Sequence, residues 1–259
     1  MAISMVQSSK PLQSISTFSF PSTLSSNFPS RFPSLPSSKS PNAPFLFTTS
    51  TFTKSPVVMQ SSTSDYATDV GEILGDVTIY TAAGQPLMIK DLWDQNEGIA
   101  VVALLRHFGC ICCWDFATEL KAYKSKFDSA GVKLIAIGVG EPDKARILAE
   151  RLPFPLDCLY CDPSRKAYDV LGLYFGLGRT FFNSASAKVF SRFDALRNVS
   201  KSYTIKATPD DRKGVLQQGG MFVFKGKQLL YARKDEATGD HAPLDDVLDI
   251  CCKVPVASN

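Results

Sequence analysis

The sequence predicts an α/β fold built on a central mixed β-sheet, carried by residues 65–259 and preceded by a leader over residues 1–64. Three observations predict it. A continuous apolar run, residues 99–105, and one broken only by Lys133, residues 132–140, are each followed by a segment with helical character, which is how buried parallel strands of a βαβ unit read. Two shorter runs, 221–224 and 228–232, flank Lys225-Gly226-Lys227 and read as an antiparallel hairpin. The first 64 residues contain no Asp or Glu, and the first acid is Asp65.

The leader is dense in Ser, Pro, Thr and Phe, and its basic residues are Lys10, Arg31, Lys39 and Lys54. No apolar run of signal-peptide length follows a basic start, which speaks against a secretory signal. An acid-poor, Ser-rich segment with sparse arginine reads as a plastid transit peptide, with a mitochondrial presequence as second choice. Processing is expected between Val57 and Ser64. Without the leader, 24 basic residues face 25 acidic ones. That balance leaves no clustered basic surface for nucleic acid. No stretch of about 20 apolar residues predicts a transmembrane helix. The remaining 195 residues suit one domain with an ample core.

In chain order, residues 77–81 and 87–89 read as a hairpin with Gly84 in its turn, and 91–93 as a short helical turn. The central buried strand, 99–105, leads into a long helix to about Ala130, with Phe116, Leu120 and Tyr123 at helical spacing. Gly131 punctuates, and 132–140 is a second buried strand. A helix follows to Leu152, with Pro142 in the favoured first position; Pro153 and Pro155 end it. Residues 156–161 read as a third short strand and 164–171 as a short helix. Phe182, Ala185, Val189, Phe193 and Leu196 share one helical face, a lid-like insert whose apolar stripe is most simply core. The hairpin 221–232 comes next. A last helix, started near Asp240 and Pro243, carries Leu244, Val247, Leu248 and Cys251.

Chemistry concentrates at the junction between the central strand and its helix, Arg106-His107-Phe108-Gly109-Cys110-Ile111-Cys112-Cys113. A helix N-terminus presents unpaired N–H groups and partial positive charge. Both favour thiolate over thiol, and Arg106 and His107 would add positive charge beside it. Cys110 and Cys113, three apart, lie on one face of a first helical turn, close enough for a disulfide. Cys112 points roughly 100° away on the helical wheel and reads as a bystander. A Cys-x-x-Cys beside a βαβ pattern is a redox signature. Seven cysteines in an intracellular chain argue for chemistry or metal rather than a disulfide scaffold.

Three strings narrow this further: Leu105-Arg106-His107-Phe108-Gly109-Cys110, Gly178-Arg179-Thr180-Phe181-Phe182-Asn183 and Gln217-Gln218-Gly219-Gly220-Met221-Phe222-Val223. They resemble the peroxiredoxin-like 2 family, the alkyl hydroperoxide reductase/thiol-specific antioxidant proteins, over about Gly71 to the C-terminus. The resemblance implies a thioredoxin-like, peroxiredoxin-type three-layer fold. It implies thiol redox chemistry on a peroxide or disulfide substrate, with a cousin branch acting on prostaglandin-type endoperoxides. A small thiol or thioredoxin-type reductant would reset the site, with no bound cofactor and no metal, in the plastid stroma. Cys110 and Cys113 would be the catalytic pair and redox disulfide, supported by Arg106 and His107.

The sequence departs from the peroxiredoxin pattern in two places. Cys110 stands where such proteins place Thr if Cys113 is peroxidatic, and no Pro opens the motif. Gly219-Gly220 precedes the Met221 strand where thioredoxins hold a proline. By thioredoxin logic Cys110 attacks and Cys113 resolves; by peroxiredoxin logic the roles reverse. The first position, lying outside the first turn, favours Cys110. Cys158 and Cys161, on a strand, would face opposite sides, which argues against a zinc site. These two, with Cys251 and Cys252, read as packing. Glu119 reads as a solvated face, and His241 as a residue near a helix start. A non-enzymatic, redox-responsive binding module is the rival reading.

Overall fold

The computed structural model describes residues 63–181 and 192–253, all within the unit Pro56–Asn259. Nearly all of the expected leader, and Phe182, Ala185 and Val189 of the expected insert helix, lie outside the described residues.

Among the described residues, seven strands form one sheet. They are β1 (Thr78–Thr81), β2 (Pro86–Met88), β3 (Ile99–His107), β4 (Val132–Val139), β5 (Leu159–Cys161), β6 (Gly220–Lys225) and β7 (Gln228–Lys234). Their order is β2-β1-β5-β4-β3-β6-β7. β3, β4 and β5 run parallel; β1 joins β5, and β6 joins β3, antiparallel. The sheet is therefore mixed. The helices are α1 (Val70–Gly75), α2 (Ile111–Ser129), α3 (Pro142–Arg151), α4 (Lys166–Val170), α5 (Leu177–Phe181), α6 (Phe193–Val199) and α7 (Leu244–Lys253).

β3 is buried along its whole length, and its period-two alternation divides the core. Val101, Ala103 and Leu105 join Phe116 and Leu120 of α2, Leu148 of α3 and Val247 of α7 on one face. Ala100, Val102 and Leu104 join Leu74 of α1, Tyr168 of α4 and Phe222 on the other. Each large side chain so buried contributes about 1.5–3 kcal/mol. The result is helix, sheet, helix, the three-layer fold.

Three local expectations change. The short helix α1 has no counterpart in the sequence reading, because six residues are too few to show a period. Residues 156–158 form a 3-10 turn, and only Leu159–Cys161 enter the sheet; pairing with β4 begins at Ala136↔Leu159. Phe193 is 67 % exposed rather than on a buried stripe.

The feature that positions the site is a break at the end of β3. Its pairing with β6 ends at Leu104↔Gly220. Its register with β4 shifts between Leu104 and His107. Such a bulge re-aims side chains and frees backbone groups. The freed Leu105 carbonyl accepts from the buried Tyr168 hydroxyl (2.6 Å). The freed Arg106 amide turns toward the cysteines.

Candidate active site

The Arg106 backbone N–H donates to the Cys113 sulfur at 3.3 Å. The bulge thus spends on a thiol the donor that the sheet no longer uses. The Arg106 side chain is fixed at its other end. Nε donates to the Gln217 carbonyl (3.1 Å) and Nη2 to the Val215 carbonyl (2.8 Å). Nη1 is left to donate to the Cys110 sulfur at 3.4 Å.

Cys110 is the N-cap of α2, with extended backbone (φ −87°, ψ 118°). Its carbonyl accepts from the amides of Cys113 and Trp114. Its sulfur sits beside the positive end of a 19-residue helix. Its pKa is held well below the ordinary thiol value, by hydrogen bonds from the thiols of Cys112 and Cys113 and by the Arg106 charge. Cys113 is wholly buried, and burial together with the hydrogen bond it gives Cys110 pushes its thiol well up. The two sulfurs are therefore unequal, Cys110 favoured as thiolate and Cys113 as thiol.

The Cys112 thiol interacts with the Cys110 sulfur, and that neighbour together with burial raises its pKa. Cys112 does stand about 100° from Cys113 on α2, but Cys110 is the N-cap with extended dihedrals, so the helical wheel does not fix where either of them lies relative to the Cys110 sulfur.

Arg106 carries the positive charge expected of it. His107 does not: it is buried with Nδ1 unpartnered among the described residues, and burial lowers its pKa to about 4. It is neutral near pH 7. A His whose folded pKa lies below its unfolded 6.5 binds protons more weakly when folded, so stability falls as pH drops through that window. Its share is about 2 kcal/mol between pH 6.5 and pH 5. Urea denaturation of His107→Gln should show a flatter loss of stability over that range than wild type.

The loop under the cysteines is packed to backbone contact. A Cβ on Gly109 would lie 2.6 Å from the Thr208 amide nitrogen. Tyr203 donates its hydroxyl to the Gly109 carbonyl (2.8 Å) and meets Trp114 edge to face at 5.4 Å. Trp114 Nε1 donates to the Phe108 carbonyl. Gly109→Ala should therefore destabilise by about 1–3 kcal/mol, the range for overpacking. The midpoint of urea unfolding measures it.

Behind the cysteines lies a second group. Arg192 pairs with Asp115 (2.7 Å) and with Glu119, so Glu119, on a solvated face with its side chain 42 % exposed, also meets a guanidinium. His241 Nδ1 lies 3.0 Å from Asp235 Oδ2, both side chains buried. Sequence reasoning passed over His241 because it stands far along the chain from the cysteines. Cys158 and Cys161 give their thiol protons to the carbonyls of Pro155 and Tyr80 respectively. Burial pushes both to about 12, so they are neutral packing groups. Among the described residues no three His, Cys, Asp or Glu side chains cluster as metal ligands, and no helix is long and apolar enough to cross a membrane.

A chloroplastic thioredoxin-like protein of Arabidopsis thaliana, AAED1, is 33 % identical over 195 residues, covering 74 % of this chain and 77 % of that one. The AhpC/TSA antioxidant enzyme family model matches residues 119–237. The chain belongs to the peroxiredoxin-like AhpC/TSA antioxidant family. A prostamide/prostaglandin F synthase of Sus scrofa is 28 % identical over 190 residues, covering 71 % of this chain and 88 % of that one. The crystal structure of peroxidoxin BcpB from Mycobacterium tuberculosis superposes with a TM-score of 0.50 at 15 % identity, over 73 % of this chain and 99 % of that one, and shares the fold. This peroxiredoxin-like chain brings its three family strings together. Arg106 of the first donates to Gln217 of the third, and Gln218 of the third donates to Thr180 of the second (2.9 Å). The family match begins after Cys113, so the roles of the cysteines rest on their geometry.

Proposed function

We propose that this peroxiredoxin-like protein reduces hydroperoxides with Cys110 as attacking thiolate and Cys113 as resolving thiol. The observation that carries the proposal is the unequal pair: a Cys110 sulfur that accepts from Arg106 and is favoured as thiolate by the Cys112 and Cys113 thiols and the Arg106 charge, beside a buried Cys113 favoured as thiol. The thiolate attacks a peroxide oxygen; a sulfur–oxygen bond forms, the oxygen–oxygen bond breaks, and the leaving oxygen takes a proton to become alcohol or water. Cys110 is then a sulfenic acid. The Cys113 thiol displaces hydroxide from it, which leaves as water after taking the Cys113 proton, and a Cys110–Cys113 disulfide remains. A small dithiol or a thioredoxin-type protein reduces that disulfide by exchange.

Residues 1–64 are proposed as a transit peptide delivering residues 65–259 to the plastid stroma. The composition of the leader and the chloroplastic relative support this. The proposal calls for no cofactor. Hydroperoxide consumption by the chain lacking residues 1–64, driven by dithiothreitol or by a thioredoxin system, tests the function. Turnover that is first order in enzyme supports it. Exchange with oxidised dithiothreitol without peroxide consumption would replace it with a disulfide exchanger. Reversible oxidation without turnover of either substrate would leave a redox-responsive binding module.

A further inference from the structure

His241 is not needed by the scheme above, yet the fold holds it with care. Asp235 fixes its Nδ1 at 3.0 Å, and Phe116 stacks on its ring at 4.2 Å with the planes 12° apart. The carbonyl of His241 accepts from Arg233 (3.3 Å), whose other nitrogen donates to Asp240 (2.9 Å). Gly219 lets Asp235 approach the sheet; a Cβ there would stand 3.0 Å from the carboxylate. Two charged groups bracket the Asp235 pair, Arg233 from β7 and the Asp115–Arg192 pair from α2 and the start of α6.

The other ring nitrogen, Nε2, is buried with no partner among the described residues. His241 lines a cavity of ≈10 Å³ together with Cys112, Asp115, Arg192, Leu196 and Gly239, room for about one water. The Cys112 thiol in turn interacts with the Cys110 sulfur. The charge of Asp235, with that of Cys110, raises His241 above its ordinary pKa against the effect of burial, so it keeps a proton to lower acidity. An Asp on one nitrogen, an unpartnered second nitrogen and a water-sized space that His241 and Cys112 both line connect His241 to the neighbourhood of the reacting sulfur.

We propose that His241, positioned by Asp235, supplies the proton that the leaving oxygen needs, passing it through one water and the Cys112 thiol. The inference rests on Cys110 being the attacking thiolate. When the oxygen–oxygen bond breaks, the Cys112 proton passes from the Cys110 sulfur to the leaving alkoxide, giving the alcohol. The water restores the Cys112 proton, and the imidazolium restores the water's. Charge balances, since the Cys110 thiolate and the imidazolium disappear together. The substrates such a line serves are alkyl hydroperoxides, whose alkoxide is too basic to leave unprotonated. A peracid, whose carboxylate leaves unaided, has no use for it.

The test compares tert-butyl hydroperoxide with peracetic acid by stopped-flow on the reduced chain lacking residues 1–64, in wild type, His241→Gln, Asp235→Asn and Cys112→Ala. A positioned general acid contributes typically 10²–10⁴-fold. The expected result is a loss of about 10²-fold with tert-butyl hydroperoxide in His241→Gln and Cys112→Ala, and a smaller loss in Asp235→Asn. The peracetic acid rate should stay within about twofold of wild type in His241→Gln and Asp235→Asn, reading the same thiolate without the proton demand. Cys112→Ala also removes a neighbour that favours the Cys110 thiolate, so it is read as the ratio of the two rates, which should fall with tert-butyl hydroperoxide beyond any loss with peracetic acid. Equal losses with both oxidants, or no loss with either, would overturn the inference. Cys112→Ala removes a single sulfur and keeps the test open if the buried His241 or Asp235 substitutions fail to fold. Wild type inert to both peroxides would instead overturn the Cys110 reading on which it rests.

Discussion

Cys110→Ser should abolish peroxide-driven oxidation, with a loss of 10³-fold or more in the rate of peroxide consumption. A serine hydroxyl placed beside Arg106 stays protonated at neutral pH and lacks the nucleophilicity of a thiolate. Cys113 cannot replace it: that sulfur is wholly buried and neutral, and it is occupied by the Arg106 amide. The substitution removes one atom's chemistry and little volume, so the melting temperature should hold within a few degrees. Cys113→Ser should behave differently. The first oxidation should proceed and the sulfenic acid should persist, open to capture by dimedone. Residual turnover in Cys110→Ser comparable to wild type would move the attacking role to another cysteine.

Arg106→Met should lower the rate of peroxide reaction at pH 7 by roughly 10- to 100-fold. An ordinary thiol near pKa 8.5 is only a few per cent ionised there, and Arg106 is the charged side chain donating to the Cys110 sulfur. The diagnostic is the pH profile, since the deficit should shrink as pH rises toward 9.5 and the thiol ionises without help. Stability should fall too. The carbonyls of Gln217 and Val215 lose charged donors, and an unmade buried hydrogen bond costs about 1–3 kcal/mol. Arg106→Lys keeps the charge but not the fork that reaches two carbonyls and a sulfur at once. It should recover part of the rate and little of the stability. A rate at pH 7 unchanged in Arg106→Met would mean that the neighbouring thiols and the helix end make the thiolate without Arg106.

Much of this was legible in the sequence, because the signals are local. An apolar run shows a buried strand, and residues 99–105 and 132–140 became the two central ones. Lys225-Gly226-Lys227 between two apolar runs showed the terminal hairpin. The cysteines stood where strand becomes helix, as expected. What the sequence did not show depends on pairing and on distant contacts. The bulge at Leu105 and Arg106 follows from registers with β4 and β6 that no local pattern encodes. Without it, Arg106 reads as one more charge beside the site rather than a side chain clamped by the 215–217 segment. The placing of Cys110 and Cys113 on one helical face does not carry over, because Cys110 is an N-cap with extended backbone. His107 looked like a positive neighbour because its burial, and hence its loss of charge, comes from the packed interior. His241 reaches the site only through the path of the chain after β7.

The measurement that tests the central claim most directly is a time-resolved peroxide pulse on the reduced chain lacking residues 1–64. One equivalent of hydroperoxide is added, dimedone and an alkylating agent quench the reaction at intervals, and mass mapping assigns the state of all seven cysteines. The account predicts sulfenic acid appearing first at Cys110, then a Cys110–Cys113 disulfide, with Cys158, Cys161 and Cys251 unmodified throughout. A first sulfenic acid at Cys113, or a dominant disulfide that omits Cys110, would contradict it.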